Sequence, residues 1–248
     1  MLIADAPACP IVLESCGNFH DVGGVRAANG AVVRPRRLFR SNALVAARPD
    51  DLFRLRELGI TTIVDLRSDL ERAWGRDLGE GVTTHPLRLG DLISGEDAWE
   101  RWCDPVYVAD RYFEMCLAAS ASITEVFAVL TDPAAYPAVV QCSLGKDRTG
   151  VVIALLLRAI GVPVRDIACE YARSRAGAFK VVDGLRRELD EELCRALEPY
   201  LPAMLSADPL TMVRFLGLID DEFGSMTGYL RHLDIVSAIP FLGAALLM

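Results

Sequence analysis

The sequence is poor in lysine, in histidine and in long apolar runs, and each scarcity closes off a class of function. Lysine occurs only as Lys146 and Lys180 among 26 basic residues. Acidic residues number 34, and the net charge of −8 repels nucleic-acid backbones and anionic membrane surfaces. No nucleic-acid partner is expected. Histidine occurs three times, at the scattered positions His20, His85 and His232. The seven cysteines (Cys9, Cys16, Cys103, Cys116, Cys142, Cys169 and Cys194) form no C-x-x-C pair. An odd count at irregular spacing argues against a disulfide framework and against a zinc site. No metal and no other cofactor is expected. The longest uncharged run, Ile235–Met248, has 14 residues and is interrupted by Pro240. A membrane-spanning helix needs about 20, so no integral membrane segment is expected. Met1–Pro10 has no basic residue ahead of its apolar stretch, so no secretory signal is readable. The cytoplasm is the default compartment, with secretion lacking a readable signal left open.

Apolar side chains are plentiful. Hydrophobic residues make up 52% and charged residues 24%, a balance that can bury a sizeable core and excludes disorder over most of the chain. Asp21-Val22-Gly23-Gly24 and Asn29-Gly30 read as turns, the latter as a hairpin. A helix over about Asp50–Leu58 leads into a buried strand, Thr61–Leu66, and a second strand lies near Thr83–Leu89, followed by a long loop. Asp110–Leu130 reads as helix, Ala138–Gln141 as a buried strand, and Thr149–Ile160 as an apolar helix stopped by Gly161 and Pro163. Val164–Arg175, Phe179–Leu197 and Leu210–Leu233 carry apolar residues at helical spacing, with Asp208-Pro209 as cap and first turn of the last. The expectation is a single α/β domain over 1–248 with a helical C-terminal half.

One segment carries chemistry: Gln141-Cys142-Ser143-Leu144-Gly145-Lys146-Asp147-Arg148-Thr149-Gly150. Its skeleton is C-x5-R. That spacing alone is weak, because seven cysteines and 24 arginines in 248 residues give roughly 0.7 chance matches. A second match, Cys169 to Arg175, lies inside an expected helix without a glycine, where no amide is free for a ligand. It reads as a buried cysteine on a helix face. The Cys142 match has a different setting. A strand delivers the cysteine, Gly145 lets the backbone curl with its N–H groups inward, and a helix starts at the far side. Such a nest binds a phosphate dianion and stabilises a thiolate. Arg148 can grip two phosphoryl oxygens with its planar fork. The bland alternative is a core cysteine ending a strand beside a solvated charge run.

The same stretch resembles the HCxxGKDRTG loop of a bacterial tyrosine-phosphatase family. Asn18–Gly24, Arg34–Ser41, Gly59–Ser68, Tyr171–Ser174 and Gly228–Arg231 resemble other motifs of that family. The resemblance implies a cysteine-phosphatase fold, with a central sheet flanked by helices and a helical lid at about 176–205. It also implies a phosphotyrosine phosphatase working through a phosphocysteine on Cys142. Ser143, Leu144, Gly145, Lys146, Asp147 and Arg148 would bind phosphate. Gln141 stands where the family usually has His, and His20 where it has Arg. Gln carries no positive charge, so weaker activation of Cys142 is expected.

Phenolate is a poor leaving group, so a carboxylic acid should protonate it. Asp147, in the loop, and Asp91, after the strand near His85, are the candidates. Asp147 is favoured because the loop itself sets its distance to phosphate. Asp65 and Arg67 read as a structural ion pair. Lys146 fits a substrate with extra phosphates, or is solvated and only raises the local potential. The expected partner is a phosphorylated protein or a phosphoinositide. A phospho-binding pseudo-phosphatase with weak or no turnover is the alternative that Gln141 keeps open. A sulfurtransferase loop would be one residue shorter.

Overall fold

The structure, a computed structural model, describes residues 13–73, 81–90 and 99–248. Five short strands form one sheet: β1 (His20–Asp21), β2 (Leu38–Asn42), β3 (Thr62–Asp65), β4 (Thr83–Pro86) and β5 (Ala138–Cys142). Their order is β1-β2-β5-β3-β4. Only β1 runs antiparallel to its neighbour; β2, β5, β3 and β4 are mutually parallel. The central strand is therefore the one that ends in Cys142. Its register sets Cys142 beside Asn42 and Gln141 beside Asp65.

Alternation along each strand sends neighbours to opposite faces. Val139, Phe39 and Ile63 enter a small core with Leu13, Phe19 and Leu55, the last from α1 (Pro49–Glu57). Leu38, Val64 and Val140 enter the large core on the other face. That core is built by α3 (Pro105–Ala118), α4 (Ser120–Thr131), α5 (Asp147–Ala159), α6 (Val164–Ala172), α10 (Pro209–Phe223), α11 (Met226–His232) and α12 (Ala238–Leu246). The intervening helices are α2 (Asp69–Arg72), α7 (Ser174–Glu188), α8 (Glu191–Leu197) and α9 (Leu201–Leu205). Every residue from Arg148 to Leu157 of α5 is buried, so this helix lies inside the protein with its first turn at the end of β5.

The α/β class is as expected, and three of the expected helices are divided. The helix expected over Asp110–Leu130 is two helices meeting at 80° across Ala119. Ser120 Oγ there donates to the carbonyls of Cys116 and Leu117, competing with the helical pattern. Phe179–Leu197 divides before Asp190, whose side chain caps α8 by accepting from Leu193 N. Leu210–Leu233 divides at Gly224, left-handed at φ 76°, followed by Ser225 as the cap of α11. Pro240, in the uncharged run, is the third residue of α12, where an amide would have no intrahelical partner anyway. A further strand, β2, is hidden in the sequence by Arg40-Ser41-Asn42, all three of them buried. Among the described residues no single helix is long and apolar enough to cross a membrane.

Candidate active site

Residues 143–146 turn from the end of β5 into the first residue of α5. The turn requires Gly145, at φ 69°, and a side chain there would also strike Ser41 and Asn42 backbone at 2.4 Å. The loop lies directly on the end of β2. Its four carbonyls point outward, and each has a donor on the N-terminal part of the chain or in α5. Ala43 N donates to Ser143 O at 3.3 Å, and Asn18 Nδ2 to Leu144 O at 2.7 Å. Arg40 Nη2 donates to Gly145 O at 2.7 Å and to Lys146 O at 3.2 Å, and Gly150 N also reaches Lys146 O. In a trans peptide the C=O of one residue opposes the N–H of the next. Outward carbonyls at 143–146 therefore turn the N–H groups of Leu144, Gly145, Lys146 and Asp147 inward. Backbone amides and the positive end of α5 converge on one point, a site made for an anion.

Cys142 lies at that point, 2% exposed. It lines a cavity of about 1230 Å³ together with Ser143, Leu144, Asp147, Arg148 and Glu71. Arg48, Lys180, Leu185, Trp99 and Met204 also line it. Arg148 reaches back over the loop. Its Nη1 and Nη2 hold the two oxygens of Glu71 at 2.7 and 2.6 Å, and Nη2 lies 3.3 Å from Ser143 Oγ. Ser143 Oγ also hydrogen-bonds Glu71. Burial works to raise the Glu71 carboxyl, but the Arg148 and Ser143 hydrogen bonds outweigh it and hold it well below the usual carboxylate range. Glu71 is thus an anion that fixes Arg148 through both terminal nitrogens. Nη1 also lies 3.4 Å from Leu66 O, so Nε–H is the one guanidinium donor without a protein partner among the described residues.

Glu71 was not among the residues expected at the site. It closes a capping box on α2, accepting from Ser68 N while Ser68 Oγ accepts from Glu71 N. The Ser-x-x-Glu spacing was a readable signal for the helix start, but nothing in it pointed to an arginine 77 positions away. Glu71→Gln keeps the shape and the cap but removes the charge. We expect kcat/KM to fall about tenfold or more, since hydrogen bonds between charged groups are the stronger ones. A rise in kcat/KM for an aryl phosphate would mean that Glu71 competes with substrate for Arg148.

Asp147 is the first residue of α5, and its Oδ1 accepts from Tyr112 Oη at 2.5 Å. Burial, and then the Asp147 charge, push the Tyr112 hydroxyl well above its ordinary value, so it stays a donor. Tyr171 Oη lies 2.9 Å beyond. The Lys146 ammonium is buried, donates to Ala203 O of α9 at 2.7 Å and lies 3.5 Å from Asp147 Oδ1. It is committed to α9 rather than to the cavity. Asp91 lies outside the described residues. Gln141 is buried and bonded through both ends of its amide: its Oε1 accepts from Leu44 N and its Nε2 donates to Asp65 Oδ2, both at 3.0 Å. Asp65 also pairs with Arg67 at 2.7 Å, the structural ion pair expected of these two. With Asp65 beside it, a histidine at 141 would gain a carboxylate partner. Gln141→His should therefore move the pH midpoint of Cys142 alkylation by iodoacetamide downward, and an unchanged midpoint would mean that the amides and α5 already set it. Cys169, expected to be buried, is exposed on α6, and its backbone is helical, so that second C-x5-R match forms no loop. Among the described residues no group of three or more His, Cys, Asp or Glu side chains is placed to hold a metal ion.

A cysteine at the mouth of an amide cradle, backed by an anchored arginine, defines a phosphate-handling site of the cysteine-phosphatase kind. The pattern of the tyrosine phosphatase family matches residues 11–239, and the chain belongs to that family of phosphoric monoester hydrolases. The triple specificity protein phosphatase PtpB of Mycobacterium tuberculosis is 32% identical over 272 residues, covering 91% of this chain and 94% of that protein. A Cupriavidus necator protein that carries a tyrosine-protein phosphatase name is 30% identical over 238 residues, covering 89% and 82%. The crystal structure of P. aeruginosa TpbA covers 74% of this chain and 89% of its own, at 18% identity and a TM-score of 0.33, too remote a likeness to carry an argument.

Proposed function

We propose that the protein hydrolyses phosphotyrosine through a covalent phosphocysteine on Cys142. The observation that carries this reading is the outward turn of all four loop carbonyls, which aims the amides of 144–147 at the Cys142 side chain. In the first step the Cys142 sulfur attacks phosphorus and the bond to the phenolic oxygen breaks. The loop amides and Arg148 hold the equatorial oxygens as charge develops on them. The leaving oxygen takes a proton from Asp147. In the second step water attacks phosphorus, giving its proton back to Asp147, and the S–P bond breaks to release inorganic phosphate and the thiolate.

The chain is read as one catalytic unit, with the helices over 176–205 acting as a lid. Lys146 Nζ on Ala203 O ties the phosphate loop to that lid, and Trp99 packs on Tyr200 with ring centroids 4.4 Å apart. Phosphoserine, phosphothreonine and phosphoinositides are proposed as further substrates, in keeping with the triple specificity in the name of the mycobacterial relative and with Arg48 and Lys180 lining the cavity.

The reading is tested by acid-quenching the protein during turnover of phenyl phosphate and locating the phosphoryl group by mass spectrometry. A phosphocysteine at Cys142 is expected. Phosphate release from phosphotyrosine peptides, phosphoserine peptides and phosphoinositides, measured side by side, orders the substrates. Folded protein that binds tungstate yet releases no phosphate from any of them would be a phospho-binding protein instead.

A further inference from the structure

A chain of buried charge runs behind the phosphate loop, on the side away from the cavity. Arg40, in the middle of β2, is fully buried. Its Nη1 donates to Glu170 Oε2 of α6 at 2.8 Å, and Glu170 Oε1 meets His20 Nε2 of β1 at 3.0 Å. Burial works to raise the Glu170 carboxyl, but the Arg40 charge and the His20 hydrogen bond overcome it and hold it at about 2. Burial lowers the His20 imidazole below its ordinary value, more than the Glu170 hydrogen bond raises it. At neutral pH the arrangement is thus a cationic Arg40, an anionic Glu170 and a neutral His20 donating to it. A buried ion pair of this kind is weak evidence for stability, because desolvation offsets most of its attraction. Its other contacts indicate a more specific use.

The other terminal nitrogen of Arg40, Nη2, takes the Gly145 carbonyl at 2.7 Å, for which it is the one donor among the described residues, and shares the Lys146 carbonyl with Gly150 N. Those carbonyls belong to the peptide units whose N–H groups are those of Lys146 and Asp147. Holding the oxygens outward forces these two N–H groups inward, because the peptide is planar and trans. Arg40 itself does not line the cavity. We propose that Arg40 is a positioning residue, which aims the Lys146 amide of the phosphate cradle by gripping the Gly145 carbonyl from behind, and shares the Lys146 carbonyl with Gly150 N of α5, while Glu170 and His20 fix its other end. The proposal rests on the phosphatase reading and deepens it. Arg40 acts on the anion and on the Cys142 sulfur only through the backbone. Lysine cannot replace it, since one ammonium cannot hold Glu170 and two carbonyls in a fixed fork.

The test is Arg40→Lys in the full chain, with three measurements. Tungstate, an oxyanion that needs no bond to sulfur, should bind about tenfold more weakly or worse, as the Lys146 amide loses its aim and the Asp147 amide loses one of its two supports. The pH midpoint of Cys142 alkylation should move upward. The value of kcat/KM should fall at least about tenfold, and equally for phenyl phosphate and 4-nitrophenyl phosphate, because the cradle and not the proton donor is disturbed. A purely structural role for Arg40 would lower the melting temperature and leave tungstate affinity and the alkylation midpoint of the folded protein unchanged. That result overturns the proposal. If Arg40→Lys does not fold, Glu170→Gln, which keeps the shape and removes the countercharge, is measured in the same way; smaller shifts in the same directions support the proposal and none overturns it. Wild-type protein that binds no tungstate would overturn the phosphatase reading itself.

Discussion

Cys142→Ser should lower turnover of any phosphate monoester by at least about 10⁴-fold while leaving oxyanion binding in place. The two halves of this result test different parts of the site. The nucleophile is one atom, and a serine hydroxyl at the same position is a far weaker nucleophile than a thiolate. The cradle is separate from it. The amides of 144–147 are held through their carbonyls by Asn18, Arg40, Ala43 and Gly150, none of which hydrogen-bonds the sulfur, and Arg148 is held by Glu71. Serine is slightly smaller than cysteine and fits a site that is 2% exposed, so the fold should survive. Tungstate titration by calorimetry gives the binding half and phosphate release gives the turnover half. A serine variant that keeps wild-type rates would end the phosphocysteine mechanism. A serine variant that loses both activities together, with an unchanged melting temperature, would mean that the sulfur itself holds the anion.

The division between nucleophile and cradle also explains what the sequence could and could not disclose. Strand β5, the glycine of the loop and the start of α5 adjoin one another in the chain, so Cys142, Gly145 and Arg148 are legible as a unit. Asp65 and Arg67 are two residues apart at the end of a strand and are legible for the same reason. The groups that shape the loop are not neighbours in the chain. Asn18 lies 126 positions from the carbonyl it holds, Arg40 lies 105 from Gly145, and Glu71 lies 77 from Arg148. A charge inside an otherwise apolar segment, as at Leu38-Phe39-Arg40, signals that a buried partner exists but not which one. The helix breaks at Ala119 and Asp190 were hidden for a related reason. Apolar spacing continues across both, and the interruption comes from small polar side chains bonding to backbone, a weak signal beside periodicity.

Asp147→Asn should separate proton donation from scaffolding by its dependence on the leaving group. An ester of an acidic phenol leaves almost unaided, whereas phenyl phosphate needs a proton on its oxygen. If Asp147 supplies that proton, the asparagine variant loses about 10²-fold or more on phenyl phosphate and only a few-fold on 2,4-dinitrophenyl phosphate. The geometry favours this outcome. Tyr112 donates to Oδ1 and Lys146 lies near the same oxygen, while Oδ2 has no protein partner among the described residues. The carboxyl is therefore oriented by one oxygen and available through the other, at the edge of the cavity that Cys142 lines. Asparagine can still accept from Tyr112, so the loop should keep its shape and the melting temperature should move little. Tyr112→Phe removes the orienting hydroxyl instead and should show the same leaving-group preference at a smaller amplitude, because a misaimed acid transfers its proton less often. Asp91→Asn should cost less than Asp147→Asn on phenyl phosphate. Equal losses on both esters in every variant would assign these carboxylates to scaffolding, since misplacing the cradle slows attack on phosphorus whatever the leaving group is. The proton would then come from another Asp, Glu or Tyr in the stretch between Gly90 and Tyr107.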